Sequence, residues 1–258
     1  MLAGLSLGMG IKPIPINQSV SKRQAAINVL SPLSGLMWVV GTGYEWLYTQ
    51  PPPLGPITTS GVGVQYWVDT VASANAYQTT TAARPTSSAA LTPKSINCDG
   101  TNDRFSNVPT RLNSTEWTLI VAAKSGAVGS ARTAAGIVGG GSYASIGHDS
   151  GQSWCAKIGD QTITAGLLSA GTLSIVEARR DGSACEMWLD GVSVGTATTA
   201  AGSATLAPMI GALSNSGSAA EFWSGQVAFV AMVNSALSTA DRRTIAQYAA
   251  EHCGLSYA

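Results

Sequence analysis

Apolar residues along the chain fall in short runs, many alternating with polar positions and closed by Gly, Pro, Asn, Asp or Ser. That is the period-two signature of half-buried β-strands. Val64–Val68 is one predicted strand. Ser95–Cys98 is another, running into an Asp99-Gly100 turn and then Arg104-Phe105. Trp117–Ala123 reads as a compact buried strand, and Tyr143–Gly147 and Ser153–Ile158 as shorter ones. Next comes the clearest unit. Leu173–Arg180 is a strand, Asp181-Gly182 carries the type I′ hairpin signal, and Ala184–Leu189 returns. In the return strand Cys185, Met187 and Leu189 share one face, and Glu186 and Trp188 the other. A second turn, Asp190-Gly191, leads to Val192–Thr196 and completes a three-stranded meander. Gln226–Val233 is apolar on both faces, with Val227, Phe229, Ala231 and Val233 on one and Ala228, Val230 and Met232 on the other. Such a strand is expected to be covered on both sides. The cover opposite the core would come from a terminal helix or from an N-terminal aromatic cluster.

One helix is predicted, over residues 238–253. Ser238 suits the N-cap, with Asp241 at capping-box spacing. Ile245, Tyr248, Ala249 and His252 form a packing face, and Arg242, Arg243, Gln247 and Glu251 are assigned to solvent. Gly254 is a natural stop, followed by Leu255.

Three zones follow from this pattern. Residues 64–258 carry the β signal, and residues 51–63, with Pro51-Pro-Pro, form an extended linker. Residues 1–50 form an extended arm or anchoring region that includes Met37, Trp38, Tyr44, Trp46 and Tyr48. That aromatic cluster packs either as a lid on the chain's own sandwich or as a docking surface on a neighbour. The candidate docking arm comprises Leu2, Leu5, Leu7, Met9, Ile11, Ile14 and Ile16, with Trp38 and Trp46. An apolar, Gly-interspersed segment of this kind can add a strand to a partner's sheet. It lacks the basic start of a signal peptide, and its first charge is Lys12.

Composition narrows the classes. Charged residues are 11% of the 258, against a usual ~25%, while 45% are hydrophobic. The surface must therefore be largely Ser, Thr, Gly, Asn and Ala. The 14 basic and 14 acidic residues cancel, and no basic run is longer than two, which argues against nucleic acid as a partner. No apolar run approaches the roughly 20 residues of a membrane span, so no membrane insertion is expected. Cys98, Cys155, Cys185 and Cys253 form no C-x-x-C motif. Cys185 reads as a small core hydrophobe, and the sequence leaves a Cys155–Cys185 bridge undecided.

The order of motifs resembles that of concanavalin A-like/laminin G-like jelly rolls. Tyr66-Trp-Val-Asp69 and Asn97-Cys-Asp-Gly-Thr-Asn-Asp-Arg-Phe105 resemble that family's opening strand and Asp-Gly turn, and Trp117–Ala123 its next core strand. Arg179-Arg-Asp-Gly182 through Asp190-Gly-Val192 is similar to its hairpin. Ile210-Gly-Ala212, Phe222–Ala228 and Asn234–Asp241 are similar to its closing signature. The resemblance covers about residues 64–258. It implies an all-β, two-sheet antiparallel jelly-roll sandwich with a C-terminal α-helix, preceded here by an extended N-terminal arm. Members with this Ala/Gly/Thr-rich texture are often bacteriophage virion proteins: decoration, head-fibre, collar or tail components. By that analogy the chain is a structural virion protein, located in a virion assembled in the host cytoplasm. Its partners would be capsid or tail proteins of the same virion, and it would be a homo-oligomer.

Catalytic chemistry finds little footing. Glucanases share this fold, but they need two carboxylates facing across the sugar at about 5–9.5 Å. Glu186 and Asp190 have i, i+4 spacing, yet Asp190 belongs to a turn, and the six Glu are scattered. His148, in Gly147-His-Asp149, is the one realistic base for a Ser-His-Asp site, and no Gly-x-Ser-x-Gly elbow accompanies it. Asp99, Asn102 and Asp103 could offer oxygens to a rim Ca2+, although turn stabilisation explains them more simply. No catalytic, cofactor or metal residue is therefore assigned. Carbohydrate binding calls for an aromatic platform beside amide and carboxylate groups. His148, Asp149, Trp154, Asn215 and Trp223 are the candidates for a host-surface glycan, with a core position for Trp154 as the alternative.

Overall fold

In the computed structural model, the described residues are 28, 38–40, 47–49, 57, 59–68, 75–88, 95–108, 112, 115–126, 129–200, 202 and 207–258. The strands in chain order are β1 (Trp38–Val40), β2 (Leu47–Tyr48), β3 (Tyr66–Val68), β4 (Asn75–Tyr77), β5 (Thr86–Ser88), β6 (Ser95–Asp99) and β7 (Glu116–Ser125). Then come β8 (Arg132–Gly139), β9 (Ser142–His148), β10 (Ser153–Gly159), β11 (Gln161–Leu167), β12 (Leu173–Asp181), β13 (Ala184–Leu189) and β14 (Val192–Thr198). The last are β15 (Met209–Ile210), β16 (Leu213–Asn215), β17 (Ser218–Ala220) and β18 (Ser224–Val233), followed by the helix α1 (Thr239–His252).

Two sheets stack as the sandwich. The first runs β14-β13-β12-β7-β18-β6-β5, and the second runs β11-β10-β9-β8-β16-β17, with β15 also on β8. Pairing is antiparallel except between β16 and β8. A small third sheet, β2-β3-β4, flanks them. The chain is thus an all-β sandwich with one C-terminal helix. β1 lies antiparallel on β18, with Trp38 opposite Met232, so this piece of the N-terminal region completes the chain's own sheet. Leu2, Leu5, Leu7, Met9, Ile11, Ile14, Ile16 and Trp46 fall outside the described residues. Ile57 and Val62, in the stretch read as a linker, belong to the sandwich core or pack against it.

Strand alternation explains two apolar layers. From β7, Trp117, Leu119, Val121 and Ala123 point between the sheets, where Ile146, Trp154 and Ile158 meet them. Ile120 and Ala122 point the other way, onto Ile245, Ala246 and Ala249 of α1. Each large side chain so buried contributes about 1.5–3 kcal/mol. Ser238 caps α1 as expected, its Oγ accepting from Asp241 N.

Three expectations are corrected. A bulge between Val227 and Phe229 flips the phase of β18. Val227, Val230 and Met232 therefore face the inter-sheet core, while Ala228, Phe229, Ala231 and Val233 face the helix. Second, the β12–β13 turn has Gly182 and Ser183 at its centre, because Asp181 still pairs with Ala184. The next turn is as read: Asp190 and Gly191 both have positive φ, 51° and 89°, which a type I′ turn requires. Third, Arg242 is not on the solvent side but buried at the helix–sheet interface. It is paired there with Glu177 of β12. All four cysteines are buried free thiols. Cys185 sits in the core, whereas Cys155 lies across from Gly147 and Thr164 on the opposite face of its sheet. Burial pushes the Cys155 thiol up to about 12, which leaves it unreactive.

Candidate functional site

The five residues proposed as a glycan platform do not converge on a rim. Trp154 is 2% exposed, and Trp223 and His148 are fully buried. They form an internal aromatic stack instead. Trp154 and Trp223 lie 5.6 Å apart at 23°, and His148 is tilted on Trp223 at 5.4 Å. The platform reading is corrected for these three because inward alternation turns His148 of β9 and Trp154 of β10 between the sheets, where Trp223, just before β18, packs with them. His148 Nδ1 lies 3.1 Å from the Asp149 carbonyl, which can only accept, so the proton is on Nδ1. That contact is to the Asp149 backbone and not to its carboxylate. Asp149 Oδ1 instead accepts from Ser153 N at 2.9 Å, closing the β9–β10 turn. Asn215 is exposed beside the separate Ser216-Gly217 turn.

The other candidate groups are also committed. Glu186 pairs with Arg179 at 2.8 Å, and Asp190 Oδ1 accepts from Ile175 N at 2.7 Å. In the Asp99–Asp103 turn, Asp99 Oδ1 accepts from the backbone N–H of Thr101, Asn102 and Asp103, and Asp103 Oδ2 accepts from Asp99 N. These are the bonds of a self-stabilised turn. Burial, helped by the neighbouring Asp99 charge, raises the Asp103 carboxyl to about 6.

Because that value lies above an unfolded Asp of about 3.9, the native turn holds its proton more tightly than the unfolded chain does. The resulting stabilisation is present below about pH 4 and is lost as pH rises through 6. Asp103 is only 8% exposed, so the effect is on the order of 1–2 kcal/mol. Asp103→Asn is expected to melt a few degrees higher than wild type at pH 7.5 and at the same temperature near pH 4. Thermal melts at the two pH values check this.

An aromatic platform does occur, in a place the sequence reading did not single out. On the small sheet, Tyr66 of β3 is the register partner of Tyr77 of β4, and Trp67 that of Ala76. Alternation sends Trp67 and Ala76 into the core and the two tyrosines outward. The tyrosine rings stack at 5.9 Å and 29°, leaving Tyr77 38% exposed. β4 is held from its other side by Asn107: Tyr77 N donates to Asn107 O at 3.1 Å, and Asn107 N to Tyr77 O at 3.3 Å.

Tyr77 then borders an open cleft of about 220 Å³, lined with it by Asn75, Ser106, Asn107, Val108 and Ala207. The walls thus hold one aromatic ring, two amides, a hydroxyl and two small apolar groups. A larger groove of about 420 Å³ runs between the end of α1 and the C-terminal tail, lined by Gln247, Ala250, Glu251, Leu255 and Tyr257. Its aromatic member is already engaged, since the Tyr257 hydroxyl donates to Glu177 and accepts from Arg242.

No family model matches the sequence, and no curated protein matches it. Solved structures do share the fold. A Trypanosoma rangeli sialidase in complex with the inhibitor DANA aligns at a TM-score of 0.51 and 14% identity, over 88% of this chain but 37% of its own. The CBM40 of a Ruminococcus gnavus IT-sialidase bound to α2,3-sialyllactose aligns at a TM-score of 0.48 and 13% identity, over 59% of this chain and 95% of its own. At 14% identity the likeness to the Trypanosoma rangeli sialidase extends to the β-sandwich and no further.

Proposed function

We propose that the protein is a carbohydrate-binding module that takes a sugar in the Tyr77 cleft. One observation carries this reading: an exposed tyrosine, fixed by stacking on Tyr66, stands over a cleft whose polar walls are amides and a hydroxyl. A pyranose has an apolar C–H face and a rim of hydroxyls. The ring of Tyr77 suits the face, and the side chains of Asn75, Asn107 and Ser106 suit the rim. Stacking on Tyr66 removes rotamer freedom from Tyr77 before any ligand arrives, which lowers the entropic cost of binding. No nucleophile–base couple or facing carboxylate pair borders the cleft among the described residues, so the reading is of binding without turnover.

The affinity should be modest. About a dozen heavy atoms at about −0.3 kcal/mol each give a dissociation constant of about 2 mM. Multivalent display raises the avidity by roughly 10²–10⁴. The test is a glycan array probed with the protein clustered on beads. Wild type is expected to be retained by a subset of glycans, and Tyr77→Ala to lose at least ten-fold of that signal at an unchanged melting temperature. Retention of Tyr77→Ala equal to wild type would overturn the assignment of the cleft.

A further inference from the structure

The cleft also carries information about the charge of its ligand. Resting on the carbohydrate reading above, we infer that the sugar taken by the Tyr77 cleft is an uncharged pyranose, not an acidic one. Binding a carboxylated sugar requires a cation or several convergent N–H donors at its acid group. Among the described residues that line the cleft, none carries a charge.

Among the described residues, the cations of the adjoining segments are already used. Arg84 Nε donates to Gln78 O at 3.1 Å, and its Nη2 to Thr79 O at 3.0 Å. Arg104 Nη1 donates to Asn102 O at 2.8 Å, and its guanidinium lies 5.8 Å from the centre of the Phe222 ring. Nor is the first amide shell free to turn into a strong donor set. Asn107 Nδ2 is already shared between Tyr77 O and Ser106 Oγ, both at 3.4 Å, which are weak bonds that a sugar hydroxyl can replace one for one. A neutral hydroxyl can exchange with such contacts and leave no polar group unpaired. A carboxylate brought there would lose hydration without acquiring a counter-charge. The volume of about 220 Å³ is below the usual range of sites for drug-sized ligands, so one ring fills it.

Two consequences follow for binding. The affinity should be almost independent of ionic strength, because no ion pair is formed or screened. Adding a sialic acid to a neutral glycan should bring no gain.

The experiment uses the full chain and saturation-transfer NMR titrations of methyl glucoside, methyl galactoside, methyl mannoside, methyl N-acetylglucosaminide, lactose, galacturonate and 3′-sialyllactose. Each titration is run at 20 mM and 500 mM NaCl. The expected result is binding of at least one neutral probe, with less than a two-fold change between the salts. Sialyllactose should bind no tighter than lactose, galacturonate no tighter than methyl galactoside, and Tyr77→Ala should weaken the neutral probe at least ten-fold. Sialyllactose or galacturonate binding ten-fold tighter than its neutral counterpart, with loss of that margin in high salt, would overturn the neutral-ligand inference and leave carbohydrate recognition standing. Failure of every sugar to bind would sink both.

Discussion

Trp154→Ala is expected to lower the melting temperature by roughly 10 °C without abolishing sugar binding by the protein that remains folded. The ring is 2% exposed and stacked on Trp223, inside the inter-sheet core. Removing a buried tryptophan costs about 3–5 kcal/mol, through lost transfer energy and the cavity left between the sheets. In a chain of this length each kcal/mol moves the melting point by about 2–4 °C. His148 and Trp223 line the space vacated, and they cannot close it without giving up their own contact at 5.4 Å. The measurement is a thermal melt followed by near-ultraviolet circular dichroism, paired with a sugar titration at 15 °C. Loss of binding at an unchanged melting temperature would put the ring at a ligand surface and return the platform to β10.

The contrast between Trp154 and Tyr77 shows what the chain's pattern does and does not encode. The meander β12–β13–β14 was legible because two Asp/Gly turns frame strands that alternate cleanly. Its second turn adopts the expected type I′ conformation. The fate of Trp154 was not legible, because both a platform and a core accept a tryptophan. Only the side of the sheet decides between them. β8 escaped notice although it pairs with β9 and β16 in the second sheet. Ala134-Ala-Gly136 is built of residues with weak β propensity and is buried because small side chains suit the close approach there. Gly136 is one such position, where a Cβ would fall 2.2 Å from that of Ser145. The phase of β18 was misread because a bulge leaves no mark in an unbroken apolar run. Tyr77 was missed because a three-residue strand is too short to display a period. The available clue was Tyr66-Trp67, two aromatics in succession that a strand must send to opposite faces.

Arg242 was misplaced for a different reason, and its correction leads to the second large expected effect. It precedes Ile245 by three residues and Ala249 by seven, so helical geometry puts it on the packing face. Only its charge suggested otherwise. Its guanidinium lies 3.8 Å from the centre of the Trp188 ring and pairs with Glu177, whose other oxygen accepts from the Tyr257 hydroxyl at 2.9 Å. Glu177 is fully buried and Arg242 is 2% exposed, so the pair is almost entirely desolvated.

Such a pair adds little net stability relative to apolar groups of the same size. Removing one partner is far worse, at about 3–5 kcal/mol, because the other is left charged and alone. Arg242→Leu is therefore expected to melt roughly 10–15 °C below wild type at pH 8. Burial already raises the Glu177 carboxyl, with Arg242 opposing that rise, and loss of the arginine raises it further. A raised carboxyl stabilises the native state in its protonated form, so Arg242→Leu should recover several degrees relative to wild type between pH 8 and pH 5. The double variant Glu177→Leu/Arg242→Leu, which leaves no orphan charge, should melt above Arg242→Leu at pH 8 and lack the added pH dependence. Calorimetric melts of wild type, Glu177→Leu, Arg242→Leu and the double variant at both pH values decide the matter. A double variant as unstable as the sum of its two single changes would show that the buried pair is not a coupled unit.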